Sequence, residues 1–313
     1  MAPWPMAVNP VKFFNQRDFR ARRIVRKHLV LIISCCVLIL FSLFRDGFSA
    51  NIQIPITLKN NLSKSGIPQK EIQACFKAPF DKIEVGIILK NVTHKETLAD
   101  YRRFLTEKTL RKARKYLLKH VKIFSEIEQT FHVPKEVIVS ILLVESSFGE
   151  NGGNYPVLSV YTSLASLSDK DVRKKIRRIA AKAGEDVRAK RFRRRLDRKA
   201  KWGFKELRCL IRLKEERKID LSALRGSWAG AFGMPQFIPT SFDAYGVDWD
   251  GDGRVNLDSL QDAAASAANY LYRNGWKKFL AHKEALRIIK FYNLSHPYAT
   301  TILGMSEKLK KTR

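Results

Sequence analysis

The sequence predicts a mainly α-helical fold with a single EF-hand-like calcium loop, set behind an N-terminal transmembrane segment. Three observations lead there. Apolar residues recur at three- and four-residue steps through residues 96–145, aspartates alternate around a glycine turn at 248–258, and Leu29 to Phe44 is apolar except for Ser34 and Ser42. A length of 313 residues allows one large or two modest folded units. Lys and Arg number 59 against 30 Asp and Glu, a net +29 that points to a polyanionic partner. With 45% hydrophobic and 28% charged residues, disorder from end to end is excluded. Four cysteines make no disulfide scaffold: Cys35 and Cys36 lie in the apolar run, and nothing supports a bridge between the isolated Cys75 and Cys209.

The apolar run amounts to about 24 Å of helix at 1.5 Å per residue, and it reaches membrane length if Phe48 and Ala50 join it while Arg45 snorkels. Seven Lys and Arg against Asp18 in residues 1–28 keep that arm in the cytoplasm under the positive-inside rule, so the remainder is exported. The expected organisation is a basic arm at 1–28, a membrane anchor or signal segment at 29–50, a tether at 51–68 and a helical region at 69–313. Cleavage and lipidation are the alternatives to an anchor. Phe48-Ser49-Ala50 lacks the small residue three positions before a cut, and Ile33-Ser34-Cys35 is a weak lipoprotein box.

In FHVPKEVIVSILLVE, Pro134 suits a first helical turn and Val137, Ile138, Ile141 and Leu142 form one apolar face. Glu145 falls four residues after Ile141 and three after Leu142, on or beside the face that enters the core. A carboxyl group held partly away from water tends to keep its proton, as a general acid must; the plain alternative is a helix-end residue or ion-pair partner. Residues 227–245, SWAGAFGMPQFIPTSFDAY, alternate Gly and Pro with aromatic residues. Such a wall suits sugar rings, with Gln236 offering donor and acceptor, although an aromatic core loop is the rival reading.

The stretch DWDGDGRVNLD places Asp248, Asp250 and Asp252 at positions 1, 3 and 5 of an EF-hand loop, with Gly253 at 6 and the Arg254 carbonyl at 7. Position 12 is Ser259 in place of Glu. Closure on calcium is expected from Asp262, with Asp258 as second choice, and the ion's role would be structural. Residues 170–208 hold 18 Lys and Arg against five Asp and Glu and read as a basic insertion. Phe192, Trp202 and Phe204 alone interrupt it, too few for a base-stacking platform, so anionic envelope polymers, lipid headgroups or plain solvent are expected there ahead of nucleic acid.

Taken in order, VPKEVIVSILLVESSFG, YPVLSVYTSLASL, SWAGAFGMPQFIPTSF, YGVDWDGDGRVNLDSLQDAAASAANYLYRNGW and YNLSHPYATTI resemble the membrane-bound lytic murein transglycosylase B family over roughly residues 95–305. The resemblance implies a lysozyme-like catalytic domain that cleaves the β-1,4 bond between N-acetylmuramic acid and N-acetylglucosamine in peptidoglycan. It implies Glu145 as the single catalytic carboxylate, acid first and base second, with 1,6-anhydromuramic acid ends as product. Ser227 matches the family's SFAG serine and Gln236 its QFMP glutamine; Tyr245, Tyr270 and Asn293 are further substrate-binding candidates. The calcium ligands carried over are Asp248, Asp250, Asp252, the Arg254 carbonyl and Asp262. Trp228, Met234-Pro235 and Ile238 depart from the family pattern, which touches subsite preference more than reaction type. The implied location is the bacterial inner membrane, with the catalytic domain facing the periplasm. A hydrolytic muramidase, an inactive wall-binding or scaffold protein and a tethered nucleic-acid binder remain open as alternatives.

Overall fold

The structure is a computed structural model that describes residues 52–94, 99–216 and 219–311. The fold opens with β1 (Ile52–Gln53), α1 (Ile56–Lys64), α2 (Gln69–Cys75), β2 (Lys82–Ile83) and α3 (Val85–Thr93). Four helices follow: α4 (Ala99–Arg102), α5 (Glu107–Lys119), α6 (Val121–Phe131) and α7 (Lys135–Ser146). Next come β3 (Tyr155–Pro156), α8 (Val157–Ala165), α9 (Lys170–Lys182), α10 (Lys190–Glu216) and β4 (Arg225–Gly226). The chain closes with α11 (Pro239–Tyr245), α12 (Leu260–Arg273), α13 (His282–Tyr292) and α14 (His296–Lys310). Both strand pairs are antiparallel and two residues long, Ile52 facing Ile83 and Tyr155 facing Gly226. The mainly α expectation therefore holds.

Local signals set the helix ends. Thr106 caps α5 by accepting from the Thr109 N–H, and Asp169 caps α9 through the N–H groups of Asp171 and Val172. In α9 the buried residues Val172, Ile176 and Ala180 fall at four-residue steps, so only one face enters the core. By contrast α7 buries Val137 to Leu143 on every side, and all nine residues of α8 are buried. These two helices are the axes on which the rest is assembled. Around α7 pack α5, α6, α12, α13 and α14. Around α8 pack α1, α2, the C-terminal half of α10 and the segment 232–257 on one side, with β1, β2, α3, α9 and the first half of α10 on the other. Each fully buried aliphatic side chain contributes about 1.5–3 kcal/mol, so truncating Leu142 to Ala would cost about 2–5 kcal/mol. Gly203 permits the crossing of α10 over α8: a Cβ there would stand 2.6 Å from Leu164 Cβ. Residues 52–64, inside the stretch expected as a tether, fold as β1 and α1 and bury Leu58 and Leu62. Cys75 and Cys209 are both buried free thiols, each pushed up to about 11 by burial.

Two expectations are corrected. The transmembrane segment at 29–50, and the inner-membrane anchoring drawn from it, lie outside the described residues, and no helix among those described is long and apolar enough to cross a membrane. The 27 residues of α10 have the length, but Lys and Arg line it throughout. The EF-hand-like loop is also absent as such. Ser259 has no carboxylate to close on an ion at position 12 and instead caps α12 by accepting from the Asp262 N–H, while the entering helix α11 is only seven residues long.

Candidate active site

Glu145 is the penultimate residue of α7 and half-buried. A carboxylate at a helix C-terminus faces the negative end of the macrodipole, so its position needs support from elsewhere. That support comes from α14: the Tyr298 hydroxyl donates to Glu145 Oε1 at 2.6 Å. Tyr298 is 1% exposed and its ring lies nearly parallel to that of Tyr292, whose hydroxyl donates to the Pro235 carbonyl at 2.6 Å. Tyr292 packs on Tyr270, and Tyr270 on Tyr245, with centroids 4.7 and 4.4 Å apart. A row of phenols thus leads from the acid to the wall. Burial, and then the negative charge of Glu145, hold the Tyr292 and Tyr298 phenols well above their ordinary range; burial pushes Tyr270 up to about 12. These groups stay protonated donors. Beside Glu145 lies a cavity of about 150 Å³, bordered by Tyr101, Arg103, Phe104, Val144, Asn293 and Tyr298.

The chain leaves α7 through a turn that few sequences tolerate. Ser147 and Phe148 have φ of 57° and 66°, a left-handed pair without glycine, held because their surroundings over-determine them. The Phe148 ring stacks on Tyr116 at 3.7 Å and 3°. From α5, Lys112 Nζ donates to Ser147 Oγ at 2.5 Å and to Glu150 at 2.6 Å. Ser146 Oγ accepts from the Gly149 N–H and donates to the Met234 carbonyl at 2.8 Å, joining the end of α7 to the aromatic-glycine wall.

That wall is itself pinned. The Tyr161 hydroxyl donates to the Gly230 carbonyl, and Gly230, at φ 85°, could bear no side chain, since a Cβ would meet Tyr161 Cζ at 2.5 Å. Phe232 and Phe237 pair across the turn, and the carboxylate of buried Glu206 accepts from both the Thr240 N–H and its hydroxyl at 2.9 Å. Burial raises the Glu206 carboxyl against the opposing effect of those two bonds. Gln236, at φ 51°, donates its amide to the Gly152 and Gly233 carbonyls, so its amide oxygen is the atom that remains for a ligand.

Of the sequence-predicted residues, Glu145 and Asn293 line one cavity, and Tyr245 and Tyr270 stand in the phenol row. Gln236 lies in the wall beside the 149–153 turn. Ser227 closes the wall's own turn, its Oγ accepting from the Ala231 N–H at 3.2 Å. An open groove of about 750 Å³ is bordered by residues 149–154 with Asp220, Arg225, Gly233 and Asp258, and shares no lining residue with the Glu145 cavity. Sequence reasoning missed Tyr298, Tyr292 and the Lys112–Tyr116 clamp; both tyrosines lie within YNLSHPYATTI, but an isolated tyrosine carries no signal of its partner.

Asp248, Asp250 and Asp262 bring carboxylate oxygens within 4.8 Å of one another. Asp262, 1% exposed, accepts from the Trp249 and Asn256 N–H groups at 2.8 and 2.7 Å, and Asp248 accepts from Gly251 and Gly253. Asp252, expected beside them, is not within this trio and accepts from the Arg254 N–H. Three gathered carboxylates are a hard-oxygen donor set that fits a divalent cation.

The model of the transglycosylase SLT domain family matches residues 53–284. The membrane-bound lytic murein transglycosylase B of Escherichia coli K12 is 33% identical over 150 residues, 48% of this chain. That match spans about a third (34%) of the relative's own length. Among solved structures, the soluble lytic transglycosylase SltB1 of Pseudomonas aeruginosa is similar with a TM-score of 0.66 at 23% identity, covering 82% of this chain and 99% of that one. Escherichia coli lytic transglycosylase Slt35 in complex with calcium gives 0.63 at 20% identity over 85% and 95%. At these identities the structures establish a shared fold.

Proposed function

The chain belongs to the transglycosylase SLT domain family, and from that premise we propose that it is a peptidoglycan lytic transglycosylase with Glu145 as its single acid and base. The observation that carries this reading is the hydrogen bond from Tyr298 to Glu145 at the edge of a cavity whose lining, among the described residues, holds no second carboxylate. Paired-acid glycosidases need that second group as nucleophile or water-activating base. A single acid suffices when the substrate supplies its own nucleophile. Glu145 protonates the oxygen of the bond between N-acetylmuramic acid and N-acetylglucosamine; as a carboxylate it then takes the proton of the muramic acid C6 hydroxyl while that oxygen closes on C1. The leaving sugar keeps the first proton, Glu145 regains one, and no water is consumed.

Tyr298 keeps one carboxylate oxygen fixed through both steps, and Asn293 contributes a polar edge to the same cavity. The wall of Ser227, Gln236 and the tyrosines Tyr245 and Tyr270 would position sugar rings and acetamido groups. The acidic trio would hold Ca²⁺, supplying charge neutralisation that ties loop 248–256 to α12, with no part in the bond cleavage. Product mass from purified peptidoglycan tests the proposal. Ends lighter by one water than reducing ends are expected. Reducing ends would assign a hydrolytic muramidase on the same site, and binding without cleavage a wall-binding protein.

A further inference from the structure

The outward face of α10 has no part in the site described above. The helix's buried residues Phe192, Leu196, Ala200, Gly203 and Leu207 mark its core side. Opposite them, at steps of three and four, stand Arg194, Arg198, Lys201, Lys205 and Arg208, all exposed. This stripe runs for about 21 Å at 1.5 Å per residue. The inward cations are used by the fold: Arg195 donates to the Val92 carbonyl and Lys199 to Asn91 Oδ1. The five outward ones form no ion pair among the described residues; of the acids between them along the helix, Asp197 is taken by Arg173 and buried Glu206 by Thr240. Like charges three and four residues apart weaken a helix, so the stripe opposes the stability of the element that carries it. A polyanion laid along it would reverse that sign.

The surroundings narrow the choice of polyanion. Among the described residues no large apolar side chain is exposed between 170 and 216, so nothing there inserts into a lipid layer. The aromatic residues of this stretch give no platform for stacked bases: Phe192 is buried, Trp202 packs edge-on against Tyr161, and Phe204 stands alone, half-buried at a groove beside Lys201. Most tellingly, the same helix holds the cleft wall through Glu206 on Thr240, and at Gly203 it crosses α8, whose Tyr161 holds the wall at Gly230. Whatever binds the stripe is therefore in fixed register with the site.

We propose that the Arg194–Arg208 stripe is a docking surface for the carboxylates of peptide stems on the polymer that the cleft cuts. It rests on the proposed function for the identity of that polymer, whose stems bear free carboxylates along each strand. The full chain carrying Arg194→Gln, Arg198→Gln, Lys201→Gln and Lys205→Gln keeps helix propensity and leaves the site untouched. Co-sedimentation with insoluble peptidoglycan at low salt should weaken about tenfold or more, with the difference vanishing at high salt. Peptidoglycan whose carboxyl groups have been amidated should bind wild type as poorly as the variant binds the native polymer. The kcat/KM on insoluble polymer should fall in step, while cleavage of soluble, peptide-free glycan strands stays unchanged.

Unaltered binding by the variant, or by wild type after amidation, would overturn the proposal. So would a loss confined to anionic vesicles or DNA, which would assign the face to another polyanion. If wild type cleaves neither substrate yet shows the charge-dependent binding, the catalytic reading fails and the docking surface stands.

Discussion

Two carboxylates in this molecule are held in opposite ways. Glu145 meets the hydroxyl of buried Tyr298 at the end of a row of tyrosines, at a helix C-terminus, beside a cavity lined by aromatic residues, Val144, Arg103 and Asn293. Asp262 is more buried, yet both of its oxygens accept backbone N–H groups, and Asp248 and Asp250 lie beside it. Two N–H donors hold the Asp262 oxygens in place beside two further carboxylates, an arrangement of hard oxygens that suits a cation. One contacted by a neutral hydroxyl at a cavity edge lies within reach of a substrate. Burial alone does not separate these roles; the identity of the donors does.

The comparison can be broken at several points. Glu145→Gln should reduce cleavage by about 10²–10⁴-fold with an unchanged melting temperature; a large drop in melting temperature with activity retained would place Glu145 among the structural acids. Cation removal should do the reverse. A chelator should lower stability by about 2.7 kcal/mol relative to calcium at a hundred times its Kd, read by thermal unfolding, and Asp250→Asn should erase that response. Tyr298→Phe tests the hydroxyl: kcat should fall about tenfold, or 1.4 kcal/mol, with KM nearly constant. An effect confined to KM would remove Tyr298 from the acid's support.

The smallest effect concerns Glu206, a third kind of buried carboxyl, which burial raises above its ordinary range. Because the folded state holds this proton more tightly than the unfolded one, its contribution is fully present below the ordinary carboxyl pKa and is lost as pH rises through the raised folded value. Stability should fall across that window by about 1.4 kcal/mol for each pH unit between the unfolded and folded values, and Glu206→Gln should flatten the curve. A wild-type profile rising with pH there would show that the Thr240 bonds outweigh burial.

Much of this arrangement was legible in the chain. The three- and four-residue steps that predict helices are the steps by which α5 buries Leu110, Ala113 and Leu117 and α6 buries Phe124 and Ile127, and the same count put Glu145 at the core's edge. What escaped was contact between distant segments. Tyr298 lies 153 positions from Glu145, and no local pattern distinguishes a phenol that donates to an acid from one that fills a core. The acidic loop shows the opposite failure, a local pattern that says too much. Alternating aspartates satisfy EF-hand spacing, but Asp252 accepts from the backbone two residues on, as turn-forming aspartates do, while ligand closure depends on a twelfth residue that here is a helix cap.

The wall between Ser227 and Thr240 also bears on how such a chain can change length. Tyr161, Ser146, Tyr292 and Glu206 grip it at Gly230, Met234, Pro235 and Thr240, and the Met234 N–H is held by the Leu257 carbonyl. Adding or deleting one residue anywhere in that span would put the wrong carbonyl under at least one of these hydroxyls and carry Gln236 away from Gly152. Residues 183–189, which join α9 to α10 through bonds to their own neighbours, face no such count. Insertions accepted by selection, or grafted by design, will therefore collect between α9 and α10, and the wall will keep its length while its side chains vary.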